Sequence, residues 1–254
     1  MNFKIILYIL ICVLIISIIF SRIFENNEYF TINEPIIFIL TRTSKRPKFY
    51  ESCKKSLLNQ SFKYWKHLVS YDDEDSKKYI DTSVSIPINV KYIKKNQKHH
   101  CPYNLYFNEL IKHVPNNAWI LFVDDDSVFS NKNSLKNLVE KIKIAESSNK
   151  SMVISSPKIN YSNEYIKKSM KSLDRSYIKN YNIKVPNELM ETHIDTGNIC
   201  IKNDKMLPKW VDRCGGDKIF FMDNILMGKE FILNNSNVLN INYNGKGNGK
   251  REDL

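Results

Sequence analysis

The chain has 254 residues, of which 43% are hydrophobic and 26% charged, and its formal net charge is +11. This hydrophobic fraction excludes an intrinsically disordered polymer, and the roughly 220 residues after the N-terminal segment suffice for one large α/β domain. The positive charge suits an anionic partner, but the lysines are scattered and no basic helix carries interleaved aromatic residues, so nucleic acid is not expected as a partner.

An uncharged apolar stretch occupies residues 5–20 near the N-terminus. With the apolar residues on either side it is just long enough to cross a bilayer, and no small-residue cleavage site follows it. We therefore predict a transmembrane signal anchor over residues 1–24, rather than a cleaved signal peptide, and a short stem over residues 25–34. Lys4 precedes the span, and acidic residues outnumber Arg22 after it, which favours a cytoplasmic N-terminus and a lumenal or extracytoplasmic domain.

The first half of the remaining domain, residues 35–254, predicts alternating strands and helices. Strands are expected over residues 35–40, 65–69, 88–93 and 118–123, and helices over residues 49–58 and 103–114. Because the strands are continuous apolar runs separated by helical patterns, we expect a mostly parallel central sheet flanked by helices.

The second half is patterned less clearly. A helix is expected over residues 134–147, with Leu135, Leu138, Ile142 and Ile144 facing inward. Further elements are a strand at residues 152–155, an unpatterned stretch over 157–190, a turn at 193–198 that leads into a strand, a helix over 218–230 and a strand over 238–243. Two disulfides at most could form among the cysteines after the anchor, which are Cys53, Cys101, Cys200 and Cys214.

Three carboxylates, Asp124-Asp125-Asp126, follow the apolar run at 118–123. Ligands of open α/β sheets bind at the carboxyl ends of the strands, and neighbouring carboxylates repel one another unless a positive charge lies between them. A divalent cation that carries substrate phosphates is a natural occupant. The alternative is an acidic surface turn or a helix N-terminus.

Four segments in order resemble family-2-like glycosyltransferases of the A-type (GT-A) fold. They are the loop Thr41–Pro47, the helix segment Cys53–Ser61, the strand end Tyr71-Asp72-Asp73 and the run Asp124-Asp125-Asp126, which is similar to the family's Asp-x-Asp motif. The resemblance covers most of residues 35–230 and implies a single Rossmann-like GT-A domain. The implied reaction transfers a sugar from a nucleoside-diphosphate sugar to a hydroxyl group of a glycan, protein or lipid.

The resemblance also implies roles for individual residues. Asp124 and Asp126 would hold Mn²⁺ or Mg²⁺, which stabilises the departing diphosphate as a Lewis acid. The other implied donor-binding residues are Thr41, Arg46, Asp72, Asp73, Asn108, Asp124 and Asp125. The alternative for the pair Asp72 and Asp73 is an ordinary acidic loop.

Two aspartates are candidates for the general base that removes the proton of the acceptor hydroxyl. Gly215-Gly216-Asp217 resembles a Gly-Gly-Glu-Asp stretch of galactosyltransferases, and Phe220–Asp223 resembles a Phe-Phe-x-Glu-Asp stretch of bacterial relatives. Asp217 is the first choice and Asp223 the second, although an aspartate at a helix N-terminus needs no catalytic reason. A base attacking opposite the leaving group would invert the anomeric centre. The segment 195–198 is expected to be an acceptor-side or donor-sugar loop, or a polar turn.

Two other functions are compatible with the acidic run. Val123–Val128 fits the Asp-x-Asp-x-Val strand of a haloacid-dehalogenase-type phosphatase, in which an aspartate nucleophile works with Mg²⁺. That motif normally opens its domain, however, and here a β-α-β stretch precedes it. The other alternative is a membrane-anchored glycan-binding module that has the fold without catalysis.

Overall fold

The computed structural model describes residues 34–93, 101–155, 194–204, 206–213 and 215–241. The predicted anchor, almost all of the stem and the unpatterned stretch after residue 156 lie outside these ranges. Within them, no helix has both the length and the apolar character needed to cross a membrane.

A seven-stranded sheet forms the centre of the described part, in the order β3-β2-β1-β4-β7-β6-β8. Pairing is parallel for β1 with β2 and β4, for β2 with β3 and for β6 with β8, whereas β7 is antiparallel to both of its neighbours. The predicted mostly parallel sheet is therefore confirmed. The strands are β1 (Ile37–Arg42), β2 (Trp65–Tyr71), β3 (Ser85–Asn89), β4 (Trp119–Asp124), β6 (Met152–Ser155), β7 (Ile199–Lys202) and β8 (Phe231–Asn234).

The apolar core covers both faces of the sheet, which explains why the central strands are apolar without alternation. On one face, α1 (Pro47–Leu58) and α4 (Ser134–Ser147) pack on Ile37, Ile39 and Leu121. On the other face, α3 (Leu105–Ile111) and α5 (Gly216–Leu226) pack on Phe38, Leu40 and Phe122. A shorter helix, α2 (Glu74–Tyr79), follows β2.

A second, two-stranded sheet lies directly after the acidic run. Strand β5 (Ser127–Phe129) pairs antiparallel with β9 (Leu239–Ile241), so the end of the described chain returns to the acidic run. Neither β5 nor the separate strand β8 was predicted, and α2 was also missed.

Several predicted boundaries are wrong. The third strand ends at Asn89 instead of residue 93, and the helix predicted over 103–114 is a short 3-10 turn, Pro102–Asn104, followed by α3. The helix predicted over 218–230 begins two residues earlier and ends at Leu226. Ile144 is 48% exposed, because it is turned about 200° from Ile142 on the helix, and Ala145 is buried instead.

Candidate active site

A cleft of about 250 Å³ opens where β1 and β4 end and α5 begins. Parallel strands place their carboxyl ends at one edge, and in this sheet β1 and β4 are neighbours with Arg42 paired to Asp124. The cleft is lined by Arg42, Tyr103, Asn104, Asp124, Asp126, Ser127, Asp195, Thr196, Gly215, Gly216 and Asp217. Asp124, Asp126 and Asp217, which the sequence predicted as site residues, are thus brought together.

Arg42 is a site residue that the sequence analysis missed. Its Nη2 lies 2.8 Å from Oδ1 of Asp124, and its guanidinium carbon lies 4.5 Å from the centre of the Tyr103 ring. The side chain is 13% exposed. Its position as the last residue of a strand that enters the acidic edge was the only signal in the sequence.

Arg46 binds the other two carboxylates of the acidic run. Its Nη1 lies 2.7 Å from Oδ1 of Asp125, and its Nη2 lies 2.8 Å from Oδ2 of Asp126. Thr43 donates a hydrogen bond from Oγ1 to the other oxygen of Asp125 at 2.8 Å. Arg42 at the end of β1 and Arg46 in the following loop therefore supply counter-charges for the whole run.

The acidic run is electrostatically strained despite these arginines. Burial raises the pKa of Asp125 to about 7, although Arg46 opposes the shift, and Asp126 adds to it. Burial likewise raises the pKa of Asp124 to about 6 against the effect of Arg42. For Arg46, burial lowers the pKa, but the carboxylates of Asp125 and Asp126 outweigh it and the pKa is raised. The site thus favours additional positive charge.

Asp217 lies in the first turn of α5 and lines the cleft. Its Oδ1 accepts a hydrogen bond from the backbone N–H of Lys218 at 2.9 Å. Burial raises the pKa of Asp217, and the carboxylate of Asp124 adds to this, whereas the Lys218 N–H, a hydrogen bond with Asp195 and the charge of Arg42 lower it. A carboxylate with a raised pKa is a stronger base than an ordinary one.

Asn104 connects the donor-side and base-side walls of the cleft. Its Oδ1 accepts a hydrogen bond from Nη1 of Arg42 at 2.8 Å, and its Nδ2 donates to the carbonyl of Arg213 at 2.8 Å. A methyl group at Gly216 would come within 2.5 Å of Nδ2 of Asn104, so only glycine permits this close approach. The sequence analysis had selected Asn108 instead.

Asp72 and Asp73 have different environments. Asp72 accepts hydrogen bonds from Oγ of Ser44 at 2.7 Å and from the hydroxyl of Tyr106 at 2.8 Å. Asp73 caps α2, with Oδ1 accepting the backbone N–H of Ser76 at 2.7 Å. Neither side chain is among those that line the cleft around Asp124, in the part of the chain that is described.

Three other predicted site residues lie outside that cleft. Thr41 is fully buried and its hydroxyl bonds Nε2 of His67 at 2.9 Å, so its flanking role is corrected: Thr43 is the threonine beside the acidic run. Asn108 bonds the backbone of Trp210 through both atoms of its amide. Asp223 lies in α5 beyond the cleft-lining first turn.

The residues present fit a divalent cation only in part. Asp124 and Asp126 offer carboxylate oxygens, the ligands that Mg²⁺ and Mn²⁺ prefer, in a site where burial, and to a lesser extent neighbouring carboxylates, raises the pKa of Asp124. Among the described residues, no group of three or more His, Cys, Asp and Glu side chains is arranged to hold a metal ion. The fit is therefore to a cation that shares its coordination with phosphate oxygens and water.

Cys101 is disulfide-bonded, whereas Cys53 and Cys200 are free and buried. Burial raises the pKa of both free thiols, which keeps them protonated and unreactive. These two cysteines therefore do not form the disulfides that the sequence left open.

The chain is similar in fold to three proteins of known structure. The first is S. aureus TarS 1–349, with a TM-score of 0.53 and 13% identity over 80% of this chain and 59% of that chain. The second is the mannosyltransferase PcManGT from Pyrobaculum calidifontis in complex with GDP-Man and Mn²⁺, with a TM-score of 0.55 and 12% identity over 84% of this chain and 59% of that chain. The third is glucosyl-3-phosphoglycerate synthase from Mycobacterium tuberculosis, in complex with Mn²⁺, UDP and glucosyl-3-phosphoglycerate. Its TM-score is 0.54 and its identity 11%, over 84% of this chain and 73% of that chain. The chain spans about three fifths of the length of the first two.

No curated protein matches the chain. The family model described as glycosyl transferase family 2 matches residues 37–207, which include β1, the acidic run and β7 but end before Asp217. This match favours the transferase over the phosphatase that the acidic run alone had allowed. The chain belongs to glycosyl transferase family 2.

Proposed function

We propose that the protein is a metal-dependent glycosyltransferase that moves a sugar from a nucleoside-diphosphate sugar to a hydroxyl acceptor with inversion. The observation that carries the proposal is that Asp217 lines the same cleft as Asp124 and Asp126. One cleft thus holds two carboxylates suited to a cation that binds a diphosphate, and beside them a carboxylate suited to remove a proton. The complexes of PcManGT with GDP-Man and Mn²⁺ and of the synthase with UDP and Mn²⁺ support this class of donor.

In this proposal the donor side is formed by Asp124 and Asp126, with Asp72 beside the nucleoside. Mn²⁺ or Mg²⁺ bound by Asp124 and Asp126 would act as a Lewis acid for the departing diphosphate. Arg42 holds Asp124 in place through its ion pair, and its positive charge lies in the cleft where phosphate charge would enter.

Asp217 is proposed as the general base. Burial raises the pKa of Asp217, which makes its carboxylate a stronger base, while the Lys218 N–H fixes the orientation of the carboxylate. Because a base of this kind activates the acceptor for attack opposite the leaving group, the product would have the inverted anomeric configuration. Retained configuration in the product, measured by proton NMR, would refute inversion.

Binding of nucleoside diphosphates tests the donor side. The full chain is titrated calorimetrically with UDP, GDP, ADP and CDP, with and without Mn²⁺, beside an Asp126→Ala variant. We expect one of these nucleotides to bind more tightly with Mn²⁺ than without it, and the variant to lose this dependence on Mn²⁺. A folded wild-type protein that binds none of them would instead favour the glycan-binding module.

We also propose that residues 1–24 anchor the protein in a membrane, with the catalytic domain lumenal or extracytoplasmic. The uncharged stretch 5–20 supports the anchor, and the disulfide at Cys101 supports an oxidising compartment. The test is extraction of cell membranes with alkaline carbonate. The full chain should stay in the membrane pellet, whereas release into the supernatant would contradict the anchor.

A further inference from the structure

Arg46 contacts the acidic run from outside the cleft. Asp126 is among the residues that line the cleft, and Arg46 is not. Nη2 of Arg46 lies 2.8 Å from Oδ2 of Asp126, so this oxygen of the carboxylate is already bound. Arg46 therefore determines which oxygen of Asp126 remains available to a ligand in the cleft.

The guanidinium of Arg46 makes contacts on several sides. Its Nη1 is 2.7 Å from Asp125, which is 1% exposed, and one face of the guanidinium lies over the Phe49 ring with 4.6 Å between the guanidinium carbon and the ring centre. The Arg46 side chain is 14% exposed. Nη1 and Nη2 of Arg46 each bind a carboxylate, and Nε is buried without a hydrogen-bond partner among the described residues. No accessible pair of N–H groups therefore remains for the two-pronged binding of a diphosphate.

We propose that Arg46 is a positioning residue for the divalent-cation site: it fixes the carboxylate of Asp126 for the cation and does not bind the nucleotide. The inference rests on the proposed function, because it concerns the cation that the proposed reaction uses. It replaces the expectation that Arg46 flanks the donor.

Two effects of Arg46 on cation affinity have opposite signs. Its positive charge repels a divalent cation, so removing the charge alone would tighten cation binding. Its planar guanidinium holds the carboxylate of Asp126 in one orientation, so removing this fork of N–H donors would weaken cation binding. Loss of a hydrogen-bonding partner of a metal ligand typically lowers metal affinity about tenfold to a hundredfold. The variant must therefore remove the fork without changing the net charge.

The double variant Arg46→Met with Asp125→Asn meets this requirement. At a pH well above 7, where Asp125 with its pKa of about 7 is ionised, it removes one positive and one negative charge, and an asparagine at position 125 can still accept the hydrogen bond from Thr43. The matched control is Lys78→Met with Asp75→Asn, which removes an exposed ion pair of 2.7 Å on α2. Thermal unfolding and circular dichroism establish that each variant is folded.

The measurement is the Kd of the full chain for Mn²⁺, from the electron paramagnetic resonance signal of free Mn²⁺. It is made with and without the nucleoside diphosphate that the wild type binds. We expect the Arg46 double variant to bind Mn²⁺ about tenfold to a hundredfold more weakly and the control to match the wild type. Metal-free nucleotide binding, measured in EDTA, should be equal in all three proteins.

Each result decides the proposal. Unchanged or tighter Mn²⁺ binding by the Arg46 double variant overturns it, and so does a loss of metal-free nucleotide binding, which would make Arg46 a nucleotide ligand. If the double variant does not fold, Arg46→Lys is used, since lysine keeps the charge without the fork; weaker Mn²⁺ binding supports the proposal and wild-type binding overturns it. A wild type that binds no Mn²⁺ with any nucleotide refutes the proposed function instead.

Discussion

Arg42 donates a hydrogen bond from Nη1 to Oδ1 of Asn104 over 2.8 Å, and this bond links the end of β1 to the 3-10 turn that precedes α3. The same arginine pairs with Asp124, and the same asparagine donates to the carbonyl of Arg213. The donor-side carboxylate and the segment that carries Asp217 are therefore positioned by one continuous set of side-chain contacts.

Asn104→Ala should slow transfer more than it weakens metal binding. The substitution removes the donor to the Arg213 carbonyl and the acceptor for Arg42. The start of α5, which carries Asp217, is then no longer held in position relative to β1. Such displacements can lower the rate of transfer about 100-fold. Asp126 keeps its partner Arg46 and Asp124 keeps its ion pair with Arg42, so the Kd for Mn²⁺ should change much less than the rate. Steady-state kinetics and Mn²⁺ titration measure the two quantities. A wild-type rate would show that Asn104 does not position the cleft.

Asp217→Asn should reduce the rate of transfer by at least about 100-fold while nucleotide binding with Mn²⁺ is preserved, since asparagine cannot accept the acceptor's proton. Asp223→Asn is the matched control, because it makes the same change further along the same helix, beyond its cleft-lining first turn. We expect it to keep the wild-type rate. If the two variants exchanged these outcomes, Asp223 would be the base.

Asp72→Ala and Asp73→Ala should affect different properties. Loss of the helix cap at Asp73 should lower the free energy of unfolding by about 1 kcal/mol and leave nucleotide affinity unchanged. Asp72→Ala should weaken binding of the nucleoside diphosphate, since Ser44 and Tyr106 hold that carboxylate as a fixed acceptor. Denaturant unfolding and calorimetry separate the effects, and equal affinities would remove Asp72 from the donor site.

His67 should make the protein less stable in mild acid. Burial lowers the pKa of its imidazole from 6.5 to about 3, and both ring nitrogens bond hydroxyls, those of Thr41 and Ser85. Below pH 6.5 only the unfolded chain gains the proton, so this stability is complete above pH 6.5 and is lost progressively toward pH 3. At pH 5 the loss is about 2 kcal/mol.

The comparison for His67 is the variant His67→Gln, because Asp124 and Asp125, whose pKa values are raised, shift stability in the opposite direction. Free energies of unfolding are measured in urea at pH 7.5 and pH 5 without metal. The difference between variant and wild type should narrow by about 2 kcal/mol at the lower pH. Parallel pH dependences would show that His67 is not responsible.

The sequence predicted the elements whose signal is local. Strand β4 and its acidic end were legible because a continuous apolar run is typical of a buried parallel strand. Ile144 was misassigned by counting apolar residues without the helical angle, and the missed strands β5 and β8 have only three and four residues, too few to carry a clear period of their own.

The contacts that the sequence could not reveal join residues far apart in the chain. Arg42 meets Asp124, and Asn104 meets Arg213, only because the sheet and α5 bring them to one edge. Only Asn108 was predicted as a site residue, and packing shows the difference from Asn104: Asn104 lines the cleft, whereas Asn108 binds the backbone of Trp210.

The pairing of β5 with β9 determines when the cleft can form while the chain is being synthesised. Strand β5 begins one residue after Asp126, and its partner Leu239–Ile241 is synthesised more than a hundred residues later. During translation, the acidic run and its arginines emerge long before the strand that closes beside them. The cleft can therefore acquire its final geometry only after residue 241 has left the ribosome, and an incomplete chain released before that point should not acquire the complete site.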